Sequence, residues 1–205
     1  MSKLYVHYGC GFHAPEDWLN FDASPRLRFE RSILGRFREK NKPRFPYNVR
    51  YGDIVKGLPI PDRSACGVYS CHMLDYLSYS EFVVALANTK KIMAPRGTFR
   101  LVVDDCRVLI QRYLSDSSSN ACSRFMEQSY WGRKEPKTIL SVLKYYLGHA
   151  HRLWMWDYKG LEVELAQAGF TSIRKANFGD SEDSRFRSVE QQSTWENAVA
   201  IDCKA

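Results

Sequence analysis

Two glycines and two carboxylates stand at the ends of three apolar segments in the first part of the chain. Each segment has the residues of a β-strand, and the groups follow closely: Gly9 and Gly11 after residues 3–8, Asp22 after residues 18–21, and Asp53 after residues 48–51. In an open α/β sheet this spacing suits a nucleoside-bearing cofactor, which needs a close backbone approach, an acceptor for its ribose hydroxyls and a partner for its base. A glycine pair alone usually marks an ordinary turn, so the prediction depends on the combination.

The residues after the glycine pair distinguish two classes of cofactor. Dinucleotide-binding loops read G-x-G-x-x-G because the N-terminus of a helix must hold a pyrophosphate. Here residues 12–17 follow Gly11 without a third glycine, and they leave no room for a crossover helix before Trp18. The sequence therefore favours a cofactor without phosphate, such as S-adenosylmethionine, with Asp22 as the acceptor for its ribose hydroxyls.

Length and composition indicate one domain. The chain has 205 residues, 44% of them hydrophobic, and no linker, repeat or low-complexity tract divides it. No apolar run approaches the roughly 20 residues of a membrane helix, and residues 1–3 lead into a strand and not into a signal peptide. We expect a soluble, cytoplasmic protein with a single domain over residues 1–205. Six cysteines without a C-x-x-C pair fit this compartment and are expected to be buried thiols: Cys10, Cys66, Cys71, Cys106, Cys122 and Cys203.

The net charge of +7 is concentrated between Arg26 and Arg50, where nine basic residues stand against two acidic ones. Such a run is usually a solvated helix face or loop. An acidic substrate, an anionic membrane or RNA would also be attracted to it. Because no recognised RNA or DNA module accompanies the run, we expect no specific nucleic-acid partner.

The rest of the chain alternates between strand-type and helix-type segments. We predict strands at 67–71, 98–103, 172–178 and 197–203, helices at 80–92 and 157–168 with two or three more between 106 and 147, a helical or irregular segment at 26–40, and a turn at 94–97. This order predicts an α/β fold with a doubly wound, mainly parallel sheet, whose ligands bind at the carboxyl ends of the strands.

On these residues, the chain resembles the class I S-adenosylmethionine-dependent methyltransferases of the compact type-11 kind, over most of its length. The similar segments are residues 6–11 (the glycine motif), 17–22 (Gly-Trp-x-Asn-x-Asp), 52–53 (Gly-Asp), 72–77 (His-x-Leu-Glu-His-Leu), 93–97 (Leu-x-Pro-Gly-Gly), and 151–157 with 168–170. The resemblance implies a seven-stranded Rossmann-like sheet with an antiparallel C-terminal strand. It also implies a helical insertion at about 106–156 that covers the acceptor site.

The same resemblance assigns roles to single residues. S-adenosylmethionine is the implied cofactor, and a sugar, glycan or related small metabolite, methylated on oxygen, is the implied acceptor. The residues that match cofactor-binding positions are Tyr8, Gly9, Cys10, Gly11, Asp22, Ala23, Asp53, Ile54 and Cys71. For three of them a structural role is the alternative: Asp22 and Asp53 as turn residues, and Cys71 as a core residue.

The catalytic prediction is narrower because the chain departs from the pattern. Asp75 and Tyr76 replace the Glu-His pair after the fourth strand, so a role of that second histidine cannot be transferred. Alignment of the reactants supplies most of the acceleration in methyl transfer, although a hydroxyl acceptor must lose a proton. We therefore predict His72 first and His151 second as the general base, with a structural histidine as the alternative in each case.

Three further features of the sequence concern the acceptor site, metal binding and the match to the family pattern. The aromatic residues Trp154, Trp156 and Tyr158 beside Arg152 belong either to the core or to the wall of the acceptor site. His149 and His151 stand on a predicted helix end without a clear third ligand, so we predict no metal site. Other departures from the family pattern are Tyr8 for a small apolar residue and Asp17 and Arg96 for glycines.

Two other functions remain as alternatives. The altered segment 72–77 is compatible with a methyltransferase fold that only binds a ligand or partner. The Tyr130 and Lys134 pair with Ser117 upstream has the spacing of a short-chain NAD(P)-dependent oxidoreductase, although the glycine loop lacks the pyrophosphate pattern. The oligomeric state cannot be read from the sequence.

Overall fold

The computed structural model describes residues 3–33, 43–130 and 152–205. Its centre is a seven-stranded sheet with the strand order β3-β2-β1-β4-β5-β7-β6. The strands are β1 (Leu4–Tyr8), β2 (Leu19–Asp22), β3 (Val49–Tyr51), β4 (Ala65–Cys71), β5 (Met93–Asp104), β6 (Thr171–Lys175) and β7 (Ala198–Lys204).

Strands β1 to β5 are parallel, and β7 runs antiparallel between β5 and β6. This arrangement confirms the predicted α/β fold with a mainly parallel sheet and an antiparallel C-terminal strand. The register pairs Tyr8 with Phe21 and Asp22 with Tyr51, so β1, β2 and β3 end at the same edge of the sheet. Ligands bind at this edge in open α/β sheets.

The helices are α1 (Pro25–Arg31), α2 (Tyr79–Ile92), α3 (Cys106–Ser115), α4 (Ala121–Gln128), α5 (Tyr158–Gln167) and α6 (Phe186–Val189). Helix α2 begins at a capping box in which Ser78 and Glu81 satisfy each other's backbone amides. Its buried side chains join those of α5 in the main core against one face of the sheet. Within the described ranges, no helix combines the length and apolar character needed to cross a membrane.

The other face of the sheet is covered by the chain between β6 and β7, residues 176–197, which we call the β6–β7 connection. A parallel crossover usually contains a helix, but residues 9–18 between β1 and β2 form none. Phe186 of the connection packs instead against Trp18 and Tyr5, with ring centroids 5.2 Å and 6.4 Å away. A late segment of the chain therefore covers the face beside β1 and β2.

Arg100 on β5 anchors this connection from within the sheet. Its guanidinium is fully buried and pairs with Glu190, with Asp202 at 3.0 Å and with Asp180 at 2.9 Å. It also donates to the carbonyl oxygen of Asn177 at 2.6 Å. Because a buried charge is tolerated only when it is paired and hydrogen-bonded, this network fixes the connection to β5 and β7.

Several sequence-based bounds need correction. Of the segment 26–40, predicted as helical or irregular, residues 26–31 belong to α1, which ends at Arg31, where the Ser32 amide caps it; residues 34–42 lie outside the described ranges. The strand predicted over 172–178 ends at Lys175, where the connection begins. The predicted turn at 94–97 lies inside β5. Met93 pairs with Ala65 and Thr98 pairs with Gly67, so residues 94–97 of β5 form a bulge opposite the single residue Cys66 of β4.

The prediction of six buried thiols is wrong in part. All six cysteines are free, but only Cys10 and Cys203 are buried, and Cys122 on α4 is exposed. Helix α4 packs against α3 beyond the end of the sheet, and its middle turns face solvent.

Candidate functional site

The bend after β1 is built on two glycines with left-handed backbone, Gly9 at φ +67° and Gly11 at φ +55°. A Cβ on Gly9 would lie 2.4 Å from Cγ of Met73, so only glycine lets the segment after β4 pack on the bend. A Cβ on Gly11 would meet nothing within 4 Å. The second glycine therefore borders open space at the carboxyl end of β1.

Asp22 closes this bend from the end of β2. One carboxylate oxygen accepts from the Gly11 amide at 3.0 Å and the other from the Ser24 amide at 2.8 Å. The predicted structural role of Asp22 in the following turn is thus present, while Ser24 itself caps α1 through the Arg26 amide. Each carboxylate oxygen has a second lone pair, so Asp22 retains capacity for two further donors.

Asp53 and Ile54 follow β3 at the same edge of the sheet. Asp53 accepts from the Val55 amide at 3.0 Å and lies 3.5 Å from the ammonium group of Lys56. Ile54 is buried in the main core, and Asn88 of α2 donates to its carbonyl oxygen at 2.7 Å. Asp53 therefore also has the structural role that was its alternative.

The other predicted cofactor residues differ in orientation. Tyr8 is buried on the α2 face, with its hydroxyl 3.0 Å from Oγ1 of Thr89, so its side chain lies in the core. Cys10 is buried beside Leu27 and Val49, and burial raises the pKa of its thiol. Ala23 is exposed next to Asp22, and Cys71 is half-buried at the end of β4, where burial also raises its pKa.

His72 follows β4 with a positive φ of 47°. Its Nε2 lies 2.7 Å from the carbonyl oxygen of Thr194 in the β6–β7 connection. Because a carbonyl oxygen only accepts, Nε2 carries a hydrogen in this arrangement. Nδ1 lies 3.3 Å from Oδ1 of Asp104, at the end of β5. The second predicted base, His151, lies outside the described residues, as do His149 and Lys134.

A buried ion-pair cluster lies beside His72 and was not predicted from the sequence. Nε of Arg152 lies 2.7 Å from Oδ2 of the buried Asp75, and the same guanidinium pairs with Asp104. Burial raises the pKa of Asp75, although Arg152 and His72 oppose this shift. The signals in the sequence were the acid at position 75, the Asp104-Asp105 pair at the end of a strand, and Arg152 in the aromatic segment.

His72, Asp75 and Asp104 are close enough together to hold a metal ion. Arg152 already brings a positive charge into contact with both carboxylates. The cluster is therefore a charge-compensated ion-pair network that joins the ends of β4 and β5 to the segment around residue 152.

The aromatic group beside Arg152 divides into two parts. Trp156 is buried, with its ring 4.2 Å from that of Phe82, and belongs to the core. Trp154 is 43% exposed, and its ring lies 5.2 Å from that of Tyr79. The backbone amides of Leu153 and Trp154 both donate to the carbonyl oxygen of Asp75, which holds Trp154 beside the ion-pair cluster.

The strand order, with an antiparallel β7 between β5 and β6, is that of the class I S-adenosylmethionine-dependent methyltransferase fold. It differs from the 3-2-1-4-5-6 order of dinucleotide-binding sheets, on which the oxidoreductase alternative depends. No protein-family model and no curated protein matches the sequence.

Comparison with solved structures supports the same fold. An S-adenosylmethionine-dependent methyltransferase from Archaeoglobus fulgidus is similar over 99% of this chain and 86% of its own, with a TM-score of 0.52 and 14% identity. A possible histamine N-methyltransferase from Thermotoga maritima is similar over 100% of this chain and 83% of its own, with a TM-score of 0.52 and 15% identity. An S-adenosylmethionine-dependent methyltransferase from Mesorhizobium loti is similar over 98% of this chain and 90% of its own, with a TM-score of 0.52 and 13% identity. The chain has the class I methyltransferase fold.

Proposed function

We propose that the chain is an S-adenosylmethionine-dependent methyltransferase that binds its cofactor at the carboxyl ends of β1, β2 and β3. The observation that carries the proposal is the pairing of Gly11 with Asp22. The glycine borders open space, and the carboxylate beside it keeps lone pairs for hydroxyl donors. The two hydroxyls of a neutral ribose are donors that the free lone pairs of Asp22 can accept.

The residues at this edge fit such a cofactor. Asp22 would accept from the ribose hydroxyls, Asp53 and Ile54 would border the base, and the bend at Gly11 would allow close approach of the ligand. The side chain of Tyr8 lies in the core, so in this proposal that residue contributes through its backbone. When bound, the cofactor supplies a methyl group activated by a positively charged sulfur.

The proposed acceptor is an oxygen of a sugar, glycan or related small metabolite. The family resemblance and the exposed rings of Trp154 and Tyr79 support this assignment, because flat aromatic faces suit sugar rings. The insertion at about 106–156 is the proposed cover of the acceptor site, and residues 131–151 of it lie outside the described ranges. We further propose a cytoplasmic location, which the free cysteines support.

His72 and His151 remain the proposed groups that take a proton from the acceptor. In the structure Nε2 of His72 donates to Thr194. Because Nε2 carries the hydrogen, the nitrogen that can take up a proton is Nδ1, which lies 3.3 Å from Oδ1 of Asp104. Because alignment supplies most of the acceleration, a loss of activity in His72→Ala that is smaller than about 100-fold would favour a positioning role for His72.

The cofactor proposal is tested by calorimetry with S-adenosylhomocysteine on a matched pair of glycine variants. Gly11→Ala places a methyl group in the open space beside Asp22, without a clash inside the protein. Gly179→Ala in the β6–β7 connection is the control, because Gly179 also has a positive φ, of 75°, and open space around its Cβ position. Each variant carries a similar backbone strain of about 1–2 kcal/mol.

We expect the wild type and Gly179→Ala to bind S-adenosylhomocysteine equally. Gly11→Ala should bind it at least about tenfold more weakly, or 1.4 kcal/mol. Absence of binding to the wild type, or equal binding to all three proteins, would contradict the proposal. Binding without methyl transfer to any acceptor in a cell extract would favour the non-catalytic alternative.

A further inference from the structure

The excess positive charge of the chain lies in one segment. Residues 26–50 contain nine basic and two acidic side chains, which accounts for the whole net charge of +7. Basic and acidic residues balance in the rest of the chain. Charge of one sign that is concentrated in this way creates a local potential that attracts polyanions.

The described parts of this segment form one continuous surface. Arg31 at the end of α1 donates to the carbonyl oxygen of Pro46 at 2.7 Å, and Glu30 accepts from the Phe45 amide at 3.0 Å. The guanidinium of Arg28 lies 5.2 Å from the ring centroid of Tyr51, on the edge strand β3. Helix α1 is thereby fixed against residues 43–51.

Five exposed side chains of this surface define what we call the basic face: Arg28, Phe29, Ile33, Arg50 and Tyr51. Phe29 is 48% exposed and Ile33 is 77% exposed. Leu27 of α1 is fully buried against Cys10 and Val49 and anchors the helix. The basic face therefore combines exposed guanidinium groups with exposed apolar side chains.

This combination distinguishes between polyanionic partners. Proteins that bind single-stranded nucleic acid use basic and aromatic side chains, because bases stack on rings. An aliphatic side chain such as Ile33 offers no such stacking surface. At an anionic bilayer, in contrast, basic side chains meet the headgroups while aliphatic and aromatic side chains enter the interface. The exposed Ile33, together with the exposed Phe29, therefore favours a membrane.

We infer that the basic face docks on the surface of an anionic lipid bilayer. Arg28 and Arg50 face the headgroups, and Phe29 and Ile33 enter the interfacial layer. The stacked pair of Arg28 and Tyr51 suits the same boundary, because both side chains combine a flat apolar body with a polar group. The inference does not depend on the proposed enzymatic function.

Co-sedimentation of the full chain with lipid vesicles tests this inference. The probes are vesicles of phosphatidylcholine alone and of phosphatidylcholine with phosphatidylglycerol in equal parts, at 50 mM and 500 mM NaCl. We expect binding to the anionic vesicles at low salt, weak binding to the neutral ones, and a large loss at high salt. Absence of binding to the anionic vesicles at low salt would overturn the inference.

Two pairs of charge reversals distinguish the effect of the basic face on vesicle binding from the effect of net charge. Arg28→Glu with Arg50→Glu should weaken vesicle binding at least about tenfold, because both changes replace attraction to the anionic headgroups with repulsion. Lys159→Glu with Arg187→Glu changes the net charge equally at exposed positions outside the face and should change binding less than threefold. Equal losses in both pairs would overturn the inference.

Ile33→Ser tests the apolar contribution without any change of charge. We expect at least about a threefold loss of vesicle binding, since burying the aliphatic side chain in the interface is favourable. An unchanged affinity for vesicles, with tighter binding of the wild type to a single-stranded RNA oligonucleotide, would assign the face to nucleic acid and contradict the inference.

Discussion

Nε2 of His72 lies 2.7 Å from the carbonyl oxygen of Thr194 and thereby joins the end of β4 to the β6–β7 connection. The two residues are 122 positions apart in the sequence. This hydrogen bond holds the connection beside the end of the sheet at which we propose that the cofactor binds.

We expect His72→Ala to lower the free energy of unfolding by about 1 kcal/mol, because one partly buried hydrogen bond is lost. Urea denaturation measures this change. His13→Ala is the control, since Nε2 of His13 also contacts the connection, 3.1 Å from the carbonyl oxygen of Ser188, but in an exposed position. A loss no larger in His72→Ala than in His13→Ala would contradict the expectation.

Arg100→Met should lower the free energy of unfolding by about 3–5 kcal/mol. The change leaves Glu190 and Asp202 buried without the guanidinium that compensates them. Arg174→Met is a matched control, because Arg174 pairs with Asp180 and Asp202 but is 41% exposed. A change below about 1 kcal/mol is expected there. Similar losses in the two variants would show that burial of the ion pair is not what matters.

His7 makes the stability of the protein dependent on pH. Burial, together with the nearby His13, lowers the pKa of His7 from 6.5 to about 3. The unfolded chain binds a proton at this residue below about pH 6.5 and the folded chain does not, so stability is lost as the pH falls from 6.5 towards 3.

We expect His7→Gln to remove this contribution. The difference in unfolding free energy between wild type and variant should change by about 1 kcal/mol between pH 6 and pH 5, measured by urea denaturation at each pH. The wild type should be the one that loses stability towards the lower pH. A difference that stays constant over this range would show that His7 is not held neutral by burial.

Thiol labelling should find one rapidly reacting cysteine. Cys122 is exposed, whereas burial raises the pKa of the thiols of Cys10 and Cys203 and so lowers their thiolate fraction. We expect Cys122→Ser to remove the fast phase of the reaction with a chromogenic disulfide. A fast phase that persists in this variant would contradict the exposure found for these cysteines.

The glycine bend and the alternation of strands and helices could be predicted from the sequence because their signals are local. Gly9 and Gly11 follow an apolar strand, and Asp22 ends the next one, so each group falls at a strand end once the strands are recognised. Segment bounds were less accurate where packing decides. Residues 94–97 have the composition of a turn, yet they are held within β5. There the Arg96 amide donates to the carbonyl oxygen of Ala205, and the Ala205 amide donates to that of Gly97.

The contacts around the site that join distant parts of the chain could not be predicted. Arg152 meets Asp75 and Asp104 only because the fold brings three separate segments together. The cover that Phe186 provides over Trp18 likewise depends on a segment near the C-terminus that occupies the place of a crossover helix. No residue pattern near either partner indicates the other.

A crystal structure with S-adenosylhomocysteine tests whether Asp22 and Gly11 form the cofactor site. We expect the ribose hydroxyls to lie within hydrogen-bond distance of the Asp22 carboxylate and the ligand to pass over Gly11. A ligand bound elsewhere, with Asp22 in contact only with the amides of Gly11 and Ser24, would contradict this expectation.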